Sequence, residues 1–346
     1  MAANGSLLHA PILATCLSDK SAIVGVGNEV KFFALHDGHF EQSFVAAEHA
    51  VVHGLAYHPS QDVISVISGH HIHLWSLSHS KLLFSHDADD WVLDVAISDG
   101  ELVYYVTAHA TCVCLDIQGQ LLWKCPCPEP FFCPAAFITL LPPTSTDTDH
   151  SSAEKSPSVA LGIWCGSVFG EIVGWTVTHS REEEEMSPPP HVHAHLHSVT
   201  SNAHNGFVFA LKAHPTLPLL LSAGEDRTCR LWHMPQNMHV NANANKSDSE
   251  RGGVLKPWGS ALWHPARVTA VAWLPATSHS SSSSSSSSPA SSFLFLSSCE
   301  DGAVRCWDGA ACVHMEKMHY RARSIAVGQG RIISGGEEGA VYLSST

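Results

Sequence analysis

Apolar and polar residues alternate in short stretches along most of the chain, and the stretches stop at glycines or paired acids. "AHNGFVFALKAHP" (203–215) and "WHPARVTAVAWLP" (263–275) show the period of two that sends one face of a strand into a core. Each precedes a second apolar strand, an acidic turn and a third strand: "LLLSAGEDRTCRLWHM" (219–234) and "FLFLSSCEDGAVRCWDG" (293–309). Laid over one another, Ser222, Asp226 and Trp232 coincide with Ser297, Asp301 and Trp307, with His204 and His264 ahead of them. "MHYRARSIAVGQGRIISGGEEGAVYLSS" (318–345) supplies His319, Ser334 and Glu338, with Ser344 in the tryptophan's place.

The same register extends backwards. "SAIVGVGNEVKFFAL" ends near Phe33, "QDVISVISGHHIHLWSL" near Trp75, "ELVYYVTAHATCVCLDI" near Leu115 and "SVALGIWCGSVFGEIVGWTV" near Trp175. Seven equivalent positions (33, 75, 115, 175, 232, 307, 344) are then separated by 42, 40, 60, 57, 75 and 37 residues. The short intervals match the roughly 40–45 residues of a four-stranded propeller blade. The fold predicted is all-β, a seven-bladed β-propeller occupying residues 1–346 as one unit. Polar insertions at about 142–157, 178–190, 235–253 and 276–292 lengthen the long intervals, and their composition predicts disordered loops. With the strands of each blade lettered a to d, all four insertions fall at a–b or c–d turns, which share one face. The opposite face keeps the short d–a and b–c turns. The last unit lacks a fourth strand, and "GSLLHAPIL" near the N-terminus is the candidate to supply it and remove an exposed edge.

The repeated polar residues first suggest chemistry: an acid, a base and a hydroxyl in one place. Repetition favours structure. A catalytic set is needed once, whereas His204, Ser222, Asp226 and Trp232 recur as His264, Ser297, Asp301 and Trp307 and in part as His319 and Ser334. They read as hydrogen-bond chains, turn Asp to His to strand Ser to indole, that satisfy otherwise unpaired buried groups.

Net charge of −14, from 18 Lys+Arg against 32 Asp+Glu, disfavours direct binding of a phosphate backbone. Eleven cysteines without a C-x-x-C pair, and a start without a basic signal region, predict a reduced, cytoplasmic protein whose thiols pack as small hydrophobes and not as zinc ligands. No apolar run reaches the roughly 18 residues of a membrane helix. In "HVHAHLH", His191, His193, His195 and His197 share one side of a strand; an outer strand with Val192, Ala194 and Leu196 turned inward is favoured over a metal site. No nucleophile elbow, phosphate loop or H-E-x-x-H argues for an enzyme, and no cofactor is implied.

"LLLSAGEDRTCRLWH" and "FLSSCEDGAVRCWDG" resemble WD repeats, although only Trp307-Asp308 keeps the naming dipeptide. In this order, "DWVLDVAI" (90–97), "GSVFGEIVGW" (166–175), "AHNGFVFAL" (203–211) and "HYRARSIAV" (319–327) resemble the first propeller of the WD repeat protein 6 family, across nearly the whole chain. Members of that family are longer and carry further propeller units. The resemblance implies a non-catalytic partner of an FtsJ-type methyltransferase that methylates the 2′-oxygen of the tRNA wobble nucleotide. S-adenosylmethionine belongs to the methyltransferase, and tRNA is met only indirectly. Asp90, Trp91, Asp94, Arg227, Arg321 and Arg323, placed on or near the short-turn face, are the candidate partner contacts. The alternative is a generic scaffold, such as a ubiquitin-ligase adaptor or trafficking platform. Against the adaptor, neither Trp232-His233 nor Trp307-Asp308-Gly309-Ala310 gives the W-D-x-R pattern such adaptors often show.

Overall fold

The computed structural model describes residues 6–7, 10–47, 50–98, 102–128, 132–141, 159–179, 192–234, 254–275 and 294–345. They form seven antiparallel sheets. Blade one holds Ile12–Leu17, Ser21–Val26, Glu29–Ala34 and Phe40–Val45; blade two holds Gly54–His58, Val63–Ser68, His71–Ser76 and Lys81–Asp87. Blade three runs Val92–Ile97, Leu102–Thr107, Thr111–Asp116 and Leu121–Pro126; blade four runs Ala135–Leu141, Val159–Gly166, Ile172–His179 and Val192–Thr200. In blade five, Val208–Ala213, Leu219–Gly224 and Thr228–His233 are flanked by a split outer strand, Lys256–Pro257 and Leu262–Trp263. Blade six comprises Val268–Trp273, Leu294–Cys299, Ala303–Asp308 and Ala311–Lys317.

Blade seven is built from both ends of the chain. Ala322–Gly328, Arg331–Gly336 and Ala340–Ser345 take Ser6–Leu7 as their outer strand, with Ser6 opposite Val341 and Leu7 opposite Ala340. The strand expected from "GSLLHAPIL" is therefore in place. The a strands pack side by side in the order one to seven and back to one, which closes the ring.

The predicted register holds in every blade: Trp232 lies opposite Leu220, Trp307 opposite Phe295, Trp175 opposite Ile163 and Phe33 opposite Ala22. Strands b in blades two, three and five are buried at every position. A strand covered by neighbours within its sheet and by the next blade on both faces reads as a continuous apolar run and not as an alternation. In five blades a bulge near the start of strand a shifts the register, as at Val208/Ala210 and Ala322/Ser324.

The expected loop insertions lie almost wholly outside the described residues. The strands that flank them are a and b in blades four and six, and c and d in blades four and five. Thr178 and His179, assigned to an insertion, belong instead to Ile172–His179, where they pair with strands on both sides. Nine of the eleven cysteines are buried, six of them in the core between blades three and four. Val192, Ala194 and Leu196 pack onto that core while His193 and His195 face outward; His191 lies outside the described residues.

Candidate functional site

Blade five forms the full polar chain. Trp232 Nε1–H donates to Ser222 Oγ at 2.8 Å, and Ser222 Oγ lies 2.7 Å from His204 Nε2. His204 Nδ1 lies 2.9 Å from Asp226 Oδ1, so a proton on Nδ1 serves the carboxylate and leaves Nε2 to accept from the serine. Thr228 donates to the same carboxylate oxygen at 2.8 Å, and Asn205 N–H reaches the other at 3.2 Å. Burial pushes the Asp226 carboxyl up, but these donors outweigh it and hold it well below the usual range. His204 and Ser222 are buried, so the set ties a turn to two strands and offers no substrate access.

Blade six departs from this. Ser297 Oγ accepts from Trp307 Nε1 at 2.9 Å and meets His264 Nε2 at 2.8 Å as expected. His264 Nδ1, however, donates to the Leu262 carbonyl at 3.0 Å and does not reach Asp301. Asp301 is taken by Arg305, at 2.5 and 3.2 Å. The reason is local: where blade five has the buttressing Thr228, blade six has Ala303, and nothing holds the carboxylate toward the imidazole. Burial and the Arg305 charge push the His264 pKa down to about 4.

Blade seven corrects a second expectation. His319 is exposed and does not meet Ser334. Backbone bonds show the equivalence: His204 N–H donates to Gly170 O and His264 N–H to Arg227 O, while in blade seven it is Met318 N–H that donates to Gly302 O. Met318 thus fills the histidine's place, and the Tyr320 hydroxyl donates to the Ser334 carbonyl at 3.2 Å. The Ser334 hydroxyl is buried without a partner among the described residues. The spacing carried the signal, since three residues lie between each working histidine and its strand and only two lie between His319 and Ala322.

Blade four replaces oxygen with sulfur. By register, Cys165 occupies the position of Ser222, and Cys133 packs beside it in the same core. The Cys133 thiol and burial hold Cys165 well above the ordinary thiol range. The turn position of Asp226 is taken by Phe169, whose side chain is not drawn inward: it is 80% exposed.

These d–a and b–c turns share the face opposite the insertions. Trp91 is exposed there and stacks on His53 at 4.9 Å. Asp90 accepts from both the backbone and the ring of His109, each at 2.9 Å. Asp94 lies within strand a of blade three, where it accepts from Ile138 N–H at 2.9 Å and burial pushes its carboxyl up. Arg321 and Arg323 join a belt of ion pairs: Glu225 with Arg267 (2.9 Å), Glu300 with Arg323 (2.9 Å), and Glu337 with both Arg323 and Arg321. Arg227 is exposed and has no ion pair or side-chain hydrogen bond among the described residues. Phe132, Phe169, Phe207 and Trp263, all exposed on this face, were not singled out from sequence. On the opposite face, His36, Asp37 and His39 form the one metal-type cluster among the described residues, and Asp37 already binds both rings, at 3.1 and 2.8 Å.

Residues 195–233 match the family model described as WD domain, G-beta repeat. That span contains the whole His204–Ser222–Asp226–Trp232 chain. No curated protein matches the sequence. Among solved structures, the chain is similar to the computationally designed Ika8 protein, with 13% identity and a TM-score of 0.57 over 99% of this chain and 98% of that one. At that identity the likeness shows the fold alone. One matched repeat within a seven-bladed ring fits a WD-repeat family, whose propellers are interaction scaffolds.

Proposed function

We propose that this chain is a non-catalytic WD-repeat scaffold, the regulatory subunit of an FtsJ-type methyltransferase that modifies the 2′-oxygen of the tRNA wobble nucleotide in the cytoplasm. The position of the four family-like stretches carries this reading. Asp90–Ile97, Gly166–Trp175, Ala203–Leu211 and His319–Val327 each run through a d–a or b–c turn, so all four meet the same face. Together they present Trp91, Phe169, Phe207 and Arg321 to solvent. Aromatic and arginine side chains are the anchors that protein interfaces favour. The net charge of −14 suits a protein partner better than a bare RNA strand, leaving tRNA to the methyltransferase.

A tagged copy purified from cell extract is expected to bring down an FtsJ-type methyltransferase, and deletion of the gene is expected to remove wobble 2′-O-methylation, read by mass spectrometry of the tRNA. Recovery of ligase or trafficking components in its place would transfer the chain to the generic scaffold class.

A further inference from the structure

We infer that the turn face of blades four and five is the docking ridge of the propeller, and that it receives an acidic, apolar protein segment. This rests on the scaffold reading alone and not on the methyltransferase. Two aromatic side chains begin the ridge. Phe169 and Phe207 stand on neighbouring turns, whose backbones approach so closely that a Cβ on Gly170 would lie 3.1 Å from Gly206 O and 1.9 Å from His204 O. Phe207 leads to Glu225, which accepts its N–H at 3.4 Å, and the turn continues through Asp226 to Arg227. Beyond Arg227 stands Trp263, opposite Thr228 in the outer strand and 68% exposed. Two phenylalanines, an arginine and a tryptophan thus follow one another along one edge.

Three observations point to occupancy. Phe169 sits at the turn position that in blades five and six holds Asp226 and Asp301, residues that bind their own blade. Phe169 does no such work and exposes most of its surface, which leaves its apolar area to be covered from outside. Arg227 is held at φ 64, whereas blades four, six and seven use Gly170, Gly302 and Gly339 at that place; only Ala110 in blade three shares the exception. Arg227 thus keeps a side chain where three other turns give up their Cβ, and that side chain is exposed, whereas Ala110 is buried. The charges commit the occupant. Glu225 is matched by Arg267, Asp226 by His204, Thr228 and Arg230, and Glu300 and Glu337 by Arg323. Glu171, beside Phe169, has only the Ser167 hydroxyl at 3.5 Å, and Arg227 is left as the exposed cation of these turns without a carboxylate among the described residues, so the partner brings a carboxylate to it, flanked by apolar side chains for Phe169, Phe207 and Trp263.

The test uses four pools of labelled synthetic peptides read by fluorescence anisotropy: acidic–apolar, basic–apolar, acidic–polar and neutral–apolar. The acidic–apolar pool is expected to bind the whole chain roughly tenfold more tightly than the others. Arg227→Glu should reverse the preference toward the basic–apolar pool, and Phe169→Ser or Trp263→Ser should weaken binding by about fivefold or more. Val313→Ser and Met315→Ser, exposed on the outer strand of blade six, should leave it unchanged. All of these positions are exposed, and a thermal melt like that of the parent chain confirms each variant's fold. The inference is overturned by equal binding of all pools, by a preference that Arg227→Glu does not move, or by equal losses in the blade-six variants.

Discussion

Asp301 and Arg305 are joined at 2.5 and 3.2 Å, four residues apart on one turn and strand, and this pairing withdraws Asp301 from the His264 ring. Blade five has an arginine at the same offset, yet Arg230 makes only a 3.4 Å contact while His204 and Thr228 hold Asp226. Two equivalent Glu-Asp turns, each with an arginine four residues after the aspartate, thus distribute the same carboxylate differently, and removal of each acid has a different consequence.

Asp226→Ala should cost about 3 kcal/mol of folding stability, because it removes the charge-assisted bonds and leaves the buried His204 Nδ1 with only the Thr228 hydroxyl at 3.3 Å. Asp301→Ala should cost a similar amount, but by isolating a guanidinium that is only 10% exposed. Adding Arg305→Leu should restore most of the second loss, whereas Arg230→Leu should restore little of the first. Chemical denaturation of the two double-mutant cycles checks this, and equal coupling in both would contradict the assigned partners.

The serines separate in the same way. Ser222→Ala and Ser297→Ala each leave an indole N–H and an imidazole nitrogen unpaired, at about 1–3 kcal/mol apiece. Ser334→Ala should be close to neutral, since its buried hydroxyl has no partner to lose among the described residues. Thermal melts of the three variants should rank accordingly.

His264 gives the fold an acid-sensitive term. Its pKa falls from 6.5 in the unfolded chain to about 4 in the folded one, so the folded state resists a proton that the unfolded state accepts. The stabilisation is complete above pH 6.5 and is lost as pH falls from 6.5 to about 4, by about 3 kcal/mol in all. His264→Gln should flatten the stability profile over that window. A profile as steep as that of the parent chain would assign the acid sensitivity to other groups.

Arg227→Gly should raise stability by about 0.5–1 kcal/mol by relieving the left-handed backbone at φ 64. Gly302→Ala, at φ 79 with a Cβ that would meet the Met318 and Tyr320 carbonyls at 3.0 Å, should lower it by more than that. Calorimetry on the pair reads both signs.

Much of the fold was written in the chain as repetition. Trp232 and Trp307 fixed a register that Phe33, Trp75, Leu115, Trp175 and Ser344 obey, because each stands at the same step of a strand pressed against an apolar strand b. The exposed ridge was partly legible: Phe169 departs from an acidic position visible by alignment of the units, but its exposure is not a property of its residue type. His319 misled because a histidine one residue out of place looks the same in a list of residue types.

The sequence by itself determined seven four-stranded units, their order and the closing of the ring by its first strand, since alternation and period are local properties that every copy restates. Only the tertiary structure decided which partner each repeated polar side chain takes. Asp301 turned to Arg305, Met318 replaced His319, and Arg227 was left unmatched among the described residues because those choices depend on distances between strands and turns that no local pattern encodes.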